Sequence, residues 1–94
     1  MSLKELLKQP TATMVDVREP YEYEEGHVEG AINIPLGEVP ARVAEFEEMS
    51  KPLILMCRSG GRSGQATHFL TAKGLTDLYN GGGWEAVQAA IDEA

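Results

Sequence analysis

Apolar residues along this chain alternate between short runs of strand character and longer stretches in which they recur every three or four positions. Leu3, Leu6 and Leu7 fall on one face of a short helix that Ser2 is placed to cap, with Pro10 and Thr11 closing it. Thr13-Met14-Val15-Asp16-Val17 is β-branched and apolar and predicts a strand. Glu19-Pro20 stops it, and Pro20 suits the first turn of a short acidic helix ending at Gly26. Ala31 to Ile34 predicts a second short strand, ended by Pro35. From Pro40 to Met49 the spacing turns helical, with Val39, Val43 and Phe46 on one face. Pro52 to Met56 is apolar on both faces, as a central parallel strand buried under helices on each side requires. Ser63 to Lys73 reads as a helix whose inner stripe is Ala66, Phe69 and Leu70. Thr76 to Tyr79 resembles a further short strand, Asn80-Gly81-Gly82-Gly83 reads as the connection after it, and a last helix carries Trp84, Val87 and Ile91. Strands and helices that alternate over such short connections favour a parallel α/β fold, whose active edge lies at the carboxyl ends of the strands.

A chain of 94 residues buries enough surface for one core and not for two, so residues 1–94 are read as one domain. Its single cysteine excludes an internal disulfide, and no Cys/His set has the spacing of a structural zinc site, so no metal is expected. The run from Met1 to Lys8 is too charged for the apolar stretch of a leader peptide, and no segment approaches the ~18 apolar residues of a membrane span. A cytoplasmic protein with no membrane partner is expected, in keeping with a free thiol. The formal charge of −7, from 15 acids against 8 bases, argues against nucleic acid as a partner. Five glutamates between Glu19 and Glu29 read as a solvated helix face, with a docking patch for a basic partner as the alternative.

Local charge reverses this picture at one point. Leu53-Ile54-Leu55-Met56 runs into Cys57-Arg58-Ser59-Gly60-Gly61-Arg62-Ser63, so the cysteine ends an apolar strand and opens a glycine-rich turn that holds two of the eight cations. Glycines let backbone N–H groups point inward, and the helix that follows aims its positive end at the same spot. A free cysteine titrates near ~8.5, and a helix N-terminus with neighbouring arginines brings it to roughly 3.5–7.5, so Cys57 is expected to be a reactive thiolate rather than a small buried hydrophobe. Asp16 and Arg18, at the end of the first strand, fall on the same sheet edge. They are expected either to orient the Cys57 loop or simply to tie loops together. Trp84 is expected in the core or as a wall near the active edge, and His68 on the outer side of its helix.

Four segments in order, Asp16-Val17-Arg18-Glu19-Pro20-Tyr21-Glu22-Tyr23, Gly26-His27-Val28-Glu29-Gly30-Ala31-Ile32-Asn33-Ile34-Pro35, the Cys57 to Ser63 loop and Gly82-Gly83-Trp84, resemble the successive signatures of a single-domain rhodanese. The resemblance implies a central parallel sheet of about five strands flanked by helices on both faces. It also implies a thiosulfate sulfurtransferase: Cys57 takes sulfane sulfur from a small anionic donor such as thiosulfate, holds it as a persulfide and passes it to cyanide or a thiol, with no cofactor. The backbone N–H groups of Arg58, Ser59, Gly60, Gly61, Arg62 and Ser63 would surround the sulfur, and Arg58 and Arg62 would hold the donor's sulfonate. Ser63 is alternatively a plain helix N-cap. The Gly26-His27 pair is a structural loop signature in this family, which argues against a catalytic role for His27. Related phosphatases and arsenate reductases use a loop one residue longer, with an arginine six positions after the cysteine where this chain has Arg62 five positions on. Sulfur transfer is therefore favoured over phosphoryl transfer. The other readings are a relay that exchanges sulfur with a partner protein's thiol, and a non-catalytic binding module, which the intact Cys57 disfavours. One departure stands out: Val87 occupies the position where many family members carry a second Trp.

Overall fold

The computed structural model describes residues 2–93. Four strands, β1 (Thr13–Asp16), β2 (Ile32–Asn33), β3 (Leu53–Cys57) and β4 (Leu78–Gly83), form one parallel sheet in the order β2-β1-β3-β4. Of the five helices, α1 (Leu3–Leu7), α2 (Pro20–Glu25), α3 (Val43–Glu48), α4 (Gly61–Ala72) and α5 (Trp84–Asp92), the middle three and a 3-10 segment (Leu36–Arg42) supply the crossovers, while α1 precedes β1 and α5 follows β4. The α/β architecture is the one expected, with four strands among the described residues instead of about five. The chain before β1 is helical: the Ser2 hydroxyl accepts the Glu5 N–H while Glu5 accepts the Ser2 N–H, a reciprocal cap that commits this segment to a helix.

β3 sets where the site lies. All five of its residues are buried, and their alternation feeds two cores. Leu53, Leu55 and Cys57 point to one side, into a cluster with Val15, Val17, Ile34, Phe46, Ala66 and Leu70. Met56 points to the other, with Val28, Ala31 and Val87 and the flanking Leu3, Leu7 and Trp84. Cys57 is thus the last step of a rigid, doubly covered strand, fixed in register against Gly83 of β4.

Two elements differ from the sequence expectation. The helix expected from Pro40 begins as a tighter 3-10 turn, because Pro40 lies inside it without an N–H to donate, and α-helix starts only at Val43. β4 runs through Asn80-Gly81-Gly82-Gly83 instead of ending before it. Its pairing with β3 shifts register between Leu55 and Met56, so that Asn80 opposes Leu55 and Gly82 opposes Met56. Gly81 is the extra residue of this bulge, in a gap where a Cβ would sit 3.0 Å from Ile54 and Val87. The glycines signal close backbone approach beside the Cys57 loop. Val87 itself is fully buried, so its place in the family pattern is filled by core packing.

Candidate active site

The Cys57 sulfur sits at the carboxyl end of β3, 1% exposed, beneath the turn that leads into α4. Gly60 caps that helix with φ of 101°, a conformation that costs a side-chain-bearing residue and is free to glycine. This left-handed step turns the Gly60 N–H inward, where it donates to Cys57 Sγ at 3.0 Å. The Ser63 hydroxyl lies 3.4 Å from the same sulfur. Burial pushes the Cys57 thiol up, but the Ser63 hydroxyl and the N–H groups of Ser63, Ser59 and Gly60 together outweigh it, and the net direction is down. Among the groups that lower it, the Ser63 hydroxyl contributes most, followed by the backbone N–H groups of the loop.

The other predicted residues divide into two groups. Arg58 and Ser59 are exposed at the loop's outer edge, and Gly61 begins α4. Arg62 is engaged: its two terminal nitrogens donate to both carboxylate oxygens of Glu22, at 2.7 and 3.0 Å. Ser63 is not the N-cap of α4. It lies fully buried in the first turn, and its hydroxyl donates to Asn80 Oδ1 at 2.6 Å. Two residues that sequence reasoning left out of the site therefore hold it: Glu22, expected on a solvated face, and Asn80, expected in a connection. Their partners lie 40 and 17 positions away along the chain, and no local pattern joins them.

Asp16 and Arg18 form a buried pair, with three Arg18-to-carboxylate bonds of 2.7 to 3.1 Å. Arg18 also donates to the carbonyls of Glu22 and Gly26 and lies 4.9 Å under the Trp84 ring. None of these bonds ends on the Cys57 to Ser63 loop. Arg18 instead bonds the Glu22 carbonyl, and the Glu22 carboxylate pairs with Arg62. A cleft of about 270 Å³ opens beside the loop, with Arg58, Arg18, Glu22 and Trp84 in its walls. Trp84 is half-buried there and serves as wall. His27 stacks on Tyr23 with ring centres 3.7 Å apart and shares a hydrogen bond with the Tyr23 carbonyl, which places its contacts away from the sulfur. His68 is exposed.

The Arg62 guanidinium holds the Glu22 carboxyl down to about 2. Because the folded-state value lies below the ordinary 4.5, the stabilisation exists above that pH and is lost as pH falls toward about 2. Glu22→Gln is expected to lower the melting temperature at neutral pH, and the difference from wild type should close across that acid range. Parallel melting curves at each pH check this, and a difference independent of pH would contradict it.

A family model described as the rhodanese-like domain matches residues 2–90. The chain belongs to that family. It is 45% identical over 69 residues to the uncharacterized protein YqhL of Bacillus subtilis, covering 73% of this chain and 54% of that one. It is 43% identical over 70 residues to the thiosulfate sulfurtransferase PspE of Escherichia coli, covering 73% of this chain and 67% of PspE. Among solved structures it resembles an E. coli rhodanese with anions, at a TM-score of 0.71 and 38% identity over 80% of this chain and 89% of that one. The chain thus spans about half the length of YqhL. No helix among the described residues is long and apolar enough to cross a membrane.

Proposed function

We propose that the protein is a cytoplasmic sulfurtransferase that moves sulfane sulfur from thiosulfate, or a similar small anionic donor, to a thiophilic acceptor through a persulfide on Cys57. The observation that carries this reading is the convergence of the Gly60 N–H and the Ser63 hydroxyl on a buried Cys57 sulfur whose thiol is pushed down. The Cys57 thiolate attacks the outer sulfur of thiosulfate. A sulfur–sulfur bond forms, the bond to the sulfonate sulfur breaks, and its electron pair leaves with sulfite. The persulfide carries one negative charge, as the thiolate did. Cyanide or a thiolate then attacks the outer sulfur, and the electrons of the broken bond return to Sγ as thiolate. Loop N–H groups stabilise the anion in each state. Arg58, exposed at the rim, meets the sulfonate first. Arg62 retains its Nε–H for the donor while Glu22 fixes its fork. A sulfur this deeply seated favours a slender donor, and a protein thiol would have to reach it from a protruding tip.

The test is turnover of thiosulfate and cyanide to thiocyanate and sulfite. Double-displacement kinetics, with activity at background in Cys57→Ala, are expected. No thiocyanate above background from folded, reduced protein would overturn thiosulfate as donor and leave transfer from a partner protein's persulfide as the reading to pursue.

A further inference from the structure

Asn80 has no part in the chemistry above, yet it bonds to both Gly60 and Ser63 of the Cys57 turn, and its bonds fix its orientation. Its Nδ2 donates to the Gly60 carbonyl at 3.0 Å, and its Oδ1 accepts the Gly82 N–H at 3.0 Å. A backbone carbonyl only accepts and a backbone N–H only donates, so the amide cannot be turned round. Oδ1 is therefore an acceptor toward Ser63 as well, and the 2.6 Å bond between them uses the only proton of the Ser63 hydroxyl. That hydroxyl also lies 3.4 Å from Cys57 Sγ. One proton faces two acceptors. The fit is built in: a Cβ on Gly64 would come 3.2 Å from Asn80 Nδ2, so the first turn of α4 is shaped to admit this side chain.

We propose that Asn80 is a positioning residue that holds the Ser63 proton away from Cys57 while the sulfur is uncharged and releases it to the sulfur when charge develops there. With Sγ protonated, Ser63 donates to Asn80 and turns a lone pair to the S–H. With Sγ a thiolate, the same lone pair would face an anion, so the proton swings to the sulfur, and Oδ1 keeps the Gly82 N–H. In a persulfide the inner sulfur is uncharged and the proton returns to Asn80. When an acceptor removes the outer sulfur, Sγ departs as a thiolate and the proton swings back. Ser63 thus donates to the sulfur at the moment charge appears, and Asn80 sets the cost of that swing. No atom is transferred between residues: the proton stays on Ser63 throughout.

This inference rests on Cys57 being the reacting group, and its test needs no sulfur donor, so it can fail while sulfur transfer stands, or stand while sulfur transfer fails. The cycle comprises wild type, Asn80→Leu, Ser63→Ala and the double variant. The Cys57 thiol is titrated in each by thiolate absorbance and by alkylation rate against pH, with melting temperature as the check on folding. Leucine matches asparagine in shape, offers no acceptor and excludes a replacing water from an otherwise exposed position. The surrounding charges, Arg58 in the loop, Arg62 with Glu22 across from it and the Asp16 and Arg18 pair at the end of β1, are the same in all four proteins and cancel. With Ser63 present, Asn80→Leu frees the proton for the sulfur, and the thiol midpoint should fall by about 0.5 pH units or more, roughly a threefold gain in the thiolate-to-thiol ratio. With Ser63→Ala, the same substitution should leave the midpoint unchanged. A purely structural role would loosen the amide cradle and raise the midpoint in both backgrounds, which would overturn the proposal. If Asn80→Leu does not fold, Asn80→Asp keeps the acceptor and tightens its grip on the proton. Its upward shift should then shrink by about half or more in Ser63→Ala, and equal shifts in the two backgrounds would overturn the proposal.

Discussion

Asp16→Ala is expected to cost about 3–5 kcal/mol of folding stability, a large share of the roughly 5–15 kcal/mol available to a domain of this size. The reason is what the substitution leaves behind. Asp16 is fully buried and Arg18 is 4% exposed, so removing the carboxylate strands a guanidinium that is almost wholly shielded from water. The Arg18 backbone N–H loses its acceptor in the same step, since it donates to Asp16 Oδ1 at 3.0 Å. Denaturation in urea measures the loss, and a change under about 1 kcal/mol would contradict the account. Replacing both partners by apolar residues should restore much of the stability, because the penalty belongs to the stranded charge. Sulfur transfer should fall in the single variant even where it remains folded. Arg18 holds the backbone of α2 through the Glu22 carbonyl, and Glu22 holds Arg62.

Gly83→Ala is expected to reduce sulfur transfer by about 100-fold, the scale of effect that follows when a reacting group is displaced by about 1 Å. Gly83 adopts φ of −75°, which any residue tolerates, so its backbone conformation asks for no glycine. Space does. A Cβ there would lie 2.7 Å from the Arg58 carbonyl oxygen, a backbone atom of the Cys57 loop that cannot turn aside as a side chain would. The loop must move or β4 must; the loop carries the Gly60 donor of the sulfur, and β4 carries Asn80, which holds Ser63. A stability cost of about 1–3 kcal/mol should accompany the loss of activity. Gly37 supplies the control, since a Cβ there meets nothing within 4 Å. Gly37→Ala should be inert in the same assay, and equal activity of the two variants would contradict the steric reading.

The legible parts of this fold were those fixed by nearest neighbours along the chain. β3 is apolar on both faces, as suits a central strand, and that pattern alone puts Cys57 at the carboxyl edge of the sheet. The capped starts of α1 and α2 follow from Ser2 with Glu5, and from Pro20. What escaped the sequence was set by contacts across the fold. Three glycines in β4 carry the composition of a turn, and only the nearness of Ile54, Val87 and the Arg58 carbonyl explains why a bulged strand needs them. Glu22 carries the composition of a solvated helix face, and its grip on Arg62 depends on where α2 docks. The Ser63 hydroxyl satisfies the pattern of an N-cap, but Gly60 takes that position because its positive φ closes the turn earlier. The place of Cys57 at the end of β3 was therefore readable, and the residues that hold its loop were not.

The account turns on Cys57 as a sulfur carrier, and the intact mass of the reduced protein after thiosulfate treatment, beside Cys57→Ser, tests it most directly. Wild type should gain the mass of one sulfur atom and return to its starting mass when cyanide is added, with thiocyanate released, while Cys57→Ser should gain nothing. A wild-type mass that does not change while its thiol remains free, or a gain of sulfur by Cys57→Ser, would contradict the account.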